Sequence, residues 1–107
     1  MPTFTPVYAP AAFEANVLTD LYVNGDDNAA IVRLCQATNT GASAMEVEVW
    51  ITDASNTIRS TLLLPQSVAA GANAGNTDMH FLPTGYKIRF KCSSTSMTLE
   101  ASVVGGA

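Results

Sequence analysis

The sequence predicts an all-β protein, a single antiparallel β-sandwich or jelly roll of about seven to eight strands with an extended N-terminal arm. Three observations lead there. Apolar and polar residues alternate strictly in three segments, turn residues punctuate the chain at short intervals, and 107 residues leave room for one domain. The boundaries follow from composition: 1–12 as the proline-rich arm and 13–107 as the sandwich.

Pro2, Pro6 and Pro10 recur every four positions at the start, interleaved with Phe4, Val7 and Tyr8. That density of proline excludes a helix or central strand and favours an extended segment. Ordering ten residues costs more backbone entropy than three apolar side chains return on burial, so an ordered arm is expected to be held partly by another chain. The same N-terminus lacks a basic region and a long apolar run, and so does not read as a signal peptide.

Val17 to Val23 is the first strand of the body. Asn24-Gly25 then marks a turn. Ala29 to Ala37 is a denser apolar run, as expected for a central strand, and Asn39-Thr40-Gly41 closes it. From Met45 the chain sets Met45, Val47, Val49 and Ile51 against Glu46, Glu48, Trp50 and Thr52. Such alternation is the mark of a strand with one buried and one solvated face. Ile58 to Leu64 and Thr77 to Phe81 are weaker strands, and 68–76 between them reads as a loop crossing between sheets, with one helical turn near 68–72 as the alternative. Tyr86, Ile88, Phe90 and Cys92 alternate with Lys87, Arg89, Lys91 and Ser93. After a short polar turn at 93–96, Met97, Leu99, Ala101 and Val103 alternate with Thr98, Glu100, Ser102 and Val104.

Composition bounds the function. Only 13% of residues are charged and the net charge is −4, with five basic side chains against nine acidic ones. No electrostatic footprint for a phosphate backbone exists, so nucleic acid is not an expected partner. No apolar run reaches the ~18 residues of a membrane span. Cys35 and Cys92 read as two buried reduced thiols, with a disulfide as the other reading.

No catalytic residue is assigned. His80 is the single histidine, without the nucleophile elbow that a Ser-His-Asp arrangement needs, and no phosphate-binding glycine loop or C-x-x-C pair occurs. Asn24 to Asn28, with Asp26 and Asp27, offers oxygens that a calcium ion takes and that a polar turn explains equally well. No cofactor is expected. Two charged rows remain: Lys87, Arg89 and Lys91 on one strand, Glu46 and Glu48 on another. They read either as solvated faces or as contact lines for a partner. Trp50, beside the glutamates, is an interface anchor or lies under a loop. The candidate partner-binding residues are therefore Phe4, Val7, Tyr8, Trp50, Lys87, Arg89 and Lys91.

Leu82 to Met97, LPTGYKIRFKCSSTSM, resembles a layout of small tailed-phage virion proteins, in which a loop enters a strand through L-x-x-G-[DY]-K-I-[RK]-[VF] and a polar hairpin follows. Leu21-Tyr22 at the end of the first strand, the closing pair Thr38-Asn39 and the alternating strand from Gly41 to Ile51 are similar in order and spacing. The resemblance spans Val17 to Val104. Gly85-Tyr86 stands where Gly-Asp is common, and the proline-rich arm is not part of the shared pattern. The resemblance implies a capsid cement or decoration protein that contacts the major capsid protein, associates with itself, and resides in a virion assembled in the bacterial host cytoplasm. A tail- or fibre-associated domain that binds a host surface is the alternative; an intracellular accessory protein is a cruder one.

Overall fold

The computed structural model describes residues 5–8, 13–25, 29–77 and 79–104. Nine strands lie within them: β1 (Thr5–Tyr8), β2 (Thr19–Val23), β3 (Ala30–Asn39), β4 (Met45–Thr52), β5 (Ile58–Val68), β6 (Asn73–Asn76), β7 (His80–Leu82), β8 (Lys87–Cys92) and β9 (Met97–Val104). They form two antiparallel sheets. Sheet A has the order β1-β9-β3-β6 with β7 also on β3, and sheet B the order β2-β8-β4-β5. The pairs β1–β9, β2–β8, β3–β6/β7 and β4–β5 nest inside one another along the chain. One long hairpin folded over on itself gives that nesting, which is the jelly-roll topology.

The alternating segments form strands because each has one face to bury. Val47, Val49 and Ile51 of β4 and Ile88, Phe90 and Cys92 of β8 face inward, against Val32, Cys35 and Ala37 of β3 and Leu99, Ala101 and Val103 of β9. All are buried. Each large side chain so buried contributes roughly 1.5–3 kcal/mol. Phe13 covers one margin of this core, its ring edge-on to Phe90 at 5.0 Å between centroids.

Two buried asparagines tie loops to the core. Asn24 Nδ2 donates to the Leu82 carbonyl (2.8 Å), and its own backbone carbonyl accepts from Gly85 N–H (2.8 Å). Gly85 has φ +83°, a conformation that favours glycine and lets the chain turn into β8. Asn39 Nδ2 donates to the carbonyls of Ser43 (2.8 Å) and Val68 (2.9 Å), and Asn39 Oδ1 accepts from Gly41 N–H (2.8 Å). The expected turn at Asn39–Gly41 is thus present, the one at Asn24-Gly25 leads into residues outside the described ones, and both asparagines are wholly enclosed.

Three features differ from the sequence expectation. Thr5–Tyr8, within the arm, is an edge strand of this chain's own sheet, paired with Val103–Glu100. The entropy argument for a neighbouring chain counted side-chain burial and left out the backbone hydrogen bonds that β9 supplies. The stretch 68–76, expected as a loop, crosses between sheets in 69–72 and then forms β6 against β3. The strand expected over 77–81 starts only at His80. β6 pairs Cys35–Thr38 and β7 pairs Ala30–Val32, so the break between them lies opposite 33–34, where β3 also shifts register against β9. One bulge interrupts both neighbours of β3.

Candidate interaction surface

The outer face of sheet B carries the charged rows. Register sets Glu48 opposite Lys91, Trp50 opposite Arg89 and Thr52 opposite Lys87, so the acidic and basic rows lie side by side on adjacent strands. Arg89 Nε pairs with Asp20 Oδ1 at 2.8 Å across β2, and Arg89 Nη2 donates to the Leu18 carbonyl at 3.1 Å. Lys87 Nζ donates to Asn56 Oδ1 at 3.0 Å. These contacts hold the basic row within the chain's own charge pattern, where partly exposed pairs contribute from nothing to about 1 kcal/mol each. Trp50 is half-buried, its indole N–H covered and without a hydrogen-bond partner. A hollow of about 190 Å³ lies beside Lys91, walled by Glu46, Glu48, Asn16 and Pro65.

The arm residues divide. Phe4 lies outside the described residues, as do Asp26 and Asp27 of the calcium reading. Val7, opposite Ala101, is half-buried against the core. Tyr8, opposite Glu100, stands on the outer face at 59% exposure. The structure therefore brings Trp50, Lys87, Arg89 and Lys91 together on sheet B and places Tyr8 on sheet A.

The outer face of sheet A shows what the sequence reading missed. Phe81 of β7, Ile31 of β3 and Val104 of β9 stand in one row perpendicular to the strands, since Ile31 is the register partner of both others. Phe81 is 73% exposed, and Met79 just before β7 is 63% exposed. Along the rest of β3 and β9 this face carries Gln36, Thr38, Thr98 and Ser102, with Arg33 and Glu100 as its charged side chains among the described strand residues. A face low in charge with an aromatic and a methionine at one end has the composition of an interface core. The local signal was present: Met79-His80-Phe81-Leu82 places apolar residues on both parities, which a strand with one solvated face does not need.

Between the sheets, where the edge of β5 approaches β6 and β7, lies an open cleft of about 590 Å³. Thr61, Leu64, Gln66, Thr77 and His80 wall it. Asn76 Nδ2 bridges the edges by donating to the Leu62 carbonyl at 2.8 Å. His80 turns toward the core side of sheet A, with Nε2 covered and unpartnered.

Cys35 and Cys92 are free thiols, both buried. Burial pushes Cys35 up to about 12 and Cys92 to about 11. Among the described residues no group of three or more His, Cys, Asp or Glu side chains is placed to hold a metal ion. Among the described residues, the outer face of sheet B is thus charge-patterned and that of sheet A weakly charged.

No protein-family model matches the sequence, and no match was found among curated proteins. Solved structures do match. A chain of the virus-like particle of the giant freshwater prawn Macrobrachium rosenbergii extra small virus is similar over 97% of this chain and 77% of its own length, at 12% identity and TM-score 0.53. Chains of the IBDV T13 viral particle and of infectious bursal disease virus Gx strain match 97% of this chain at 12% identity, with TM-scores of 0.48 and 0.49; this chain spans about a third of theirs. The first likeness is a likeness of fold: the chain has a jelly roll of the kind found in that virus particle.

Proposed function

We propose that the chain is a structural component of a tailed-bacteriophage particle, a cement or decoration protein that binds across neighbouring major capsid subunits and stabilises the head. It works by binding and catalyses no reaction. Its partners are the major capsid protein and further copies of itself, with no role for nucleic acid or membrane, and it joins the virion in the bacterial host cytoplasm. The observation that carries this reading is the division between inside and outside. Inward side chains pack the core, while the outer faces present one charge-patterned surface and one low-charge surface with an apolar row. Single contacts of that kind are weak, yet many copies on one shell gain by avidity. Binding the assembled shell alone then stabilises it by mass action.

A second reading comes from the likeness to a virus-like-particle chain over most of both lengths: the chain would itself build a shell. Expression alone separates the two, because a shell former yields particles without help. Undecorated heads test the first. The protein should co-sediment with them in many copies per head and raise their melting temperature. Reversing Lys87 and Lys91 to Glu should weaken that binding more at low salt than at high, since exposed charges are screened by added ions. Heads that neither bind the protein nor gain heat resistance refute the cement role.

A further inference from the structure

We infer that two copies of this chain associate face to face through the outer surface of sheet A, with Ile31 opposite its own counterpart and Phe81 over Val104 of the other copy. Four observations point there. The row has Ile31 at its centre, with Phe81 one strand to one side and Val104 one strand to the other. A two-fold axis lying in the contact plane along β3 returns Ile31 to Ile31 and exchanges the flanking positions. A protruding phenylalanine then meets a half-buried valine twice, which is the self-complementarity that an isologous contact needs.

Charge agrees with this occupant. The whole chain is at −4, so copies repel on average, yet among the described strand residues this face carries one arginine and one glutamate. Arg33 lies on the axis strand and meets its own counterpart, so its exposed guanidinium must turn out to solvent at the rim of the contact. Size agrees as well. Four strand positions and the ten residues of β3 make a face of about 20 by 30 Å, so a copy laid flat removes on the order of 600 Å² from each partner. That total of about 1,200 Å² sits at the lower edge of specific interfaces and calls for a reversible dimer. Finally, Met79, Ile31, His80 and Phe81 enclose a hollow of about 40 Å³ beside the row, a recess at the margin of the same contact. This inference gives a face to the self-association included in the proposed function and rests on that part of it, while a chain that stays monomeric yet binds heads would overturn the dimer alone.

Light scattering after gel filtration, over a wide concentration range, reads the association directly. The mass should rise from 11.2 kDa toward twice that value as concentration increases. Phe81→Glu should stay monomeric at every concentration, and its exposed position leaves the fold undisturbed, which circular dichroism checks. Ile31→Cys gives an independent readout. Stacked sheets lie ~10 Å apart, so a short bismaleimide should couple the two introduced cysteines into a dimer. Wild type should not couple, because Cys35 and Cys92 are buried. A wild type fixed at 11.2 kDa overturns the inference, as does a Phe81→Glu variant that dimerises normally. So does an Ile31→Cys variant that dimerises but is not coupled, which would place the contact on another face.

Discussion

Replacing Asn39 by alanine removes three side-chain hydrogen bonds at once, to Ser43, Val68 and Gly41, from a residue with no solvent exposure. A neutral hydrogen bond contributes ~1 kcal/mol, and a buried carbonyl left unpaired costs up to ~3. The Val68 carbonyl falls in the second class, because the bond that satisfies it is buried, while the other two lie nearer water. The expected loss is about 3–4 kcal/mol, a large share of the ~5–15 kcal/mol that holds a small domain folded. Urea unfolding should show it as a lower midpoint with an unchanged slope. In a thermal melt it amounts to roughly 15–20 °C. Thr40→Ala is the control: it removes a bond to the Ser96 carbonyl that is solvent-exposed, and should cost under ~1 kcal/mol. Asn39→Asp sharpens the test. Its carboxylate would face two carbonyls that now receive a donor, so it should be worse than alanine at neutral pH and recover partly in acid, once the carboxyl can donate. A loss below about 1 kcal/mol for Asn39→Ala would refute the reasoning, since the loops would then find other partners for their polar groups.

Four further outcomes are expected. Both thiols should resist a thiol reagent at pH 8 until denaturant unfolds the chain, because their raised pKa keeps the thiolate absent; rapid labelling of native protein would contradict their burial. The same shift makes stability fall as pH rises above about 9, where the unfolded thiol ionises first, and the decline from Cys35 ends near 12; Cys35→Ala should flatten that limb of a pH–stability curve. The Asp53 carboxyl is held low, first by Thr57 N–H and then by Arg59 and Ser55, so its stabilisation is present above the ordinary carboxylate value and fades as pH falls through the lowered one. The stability gap between wild type and Asp53→Asn should therefore narrow in acid. Deleting residues 1–10 uncovers the edge of β9 and releases Val7 from the core margin, which should leave a folded chain that is ~1–3 kcal/mol less stable in urea; an unchanged midpoint would show that β1 is not docked in solution.

How much the sequence shows depends on how each strand is held. β4, β8 and β9 are legible because each buries one face of a regular alternation, and that pattern is local. β6 is not: Asn73-Ala74-Gly75-Asn76 carries no apolar period, and becomes a strand because β3 has a second edge to satisfy. β5 runs through Pro65, which normally argues against a strand, but its register against β4 slips between Val47 and Val49, and the proline falls in that irregularity at a sheet edge. Outward placement of Lys87, Arg89 and Lys91 follows from parity alone. The pairing of Arg89 with Asp20 does not, because the two lie 69 residues apart and only the β2–β8 register joins them. The Phe81 row is hidden for the same reason: its members come from three strands that meet only in the fold.

The break between β6 and β7 links the core to the surface. β3 bulges at Val32/Leu34, and its neighbour on one side changes there from β7 to β6. Beside this break Met79, on the parity of Phe81, stands largely exposed, and His80 lies in the wall of the cleft with an unpartnered ring nitrogen. The most interface-like corner of the molecule thus arises where the jelly roll is least regular. Inner faces obey the alternation that any such sandwich needs, which is how a chain with 12% identity can share the fold over 97% of this one. Outer faces and irregularities are under no such rule, so what this protein binds must be argued from Phe81, Ile31 and the paired charges of sheet B, and not carried over from the fold.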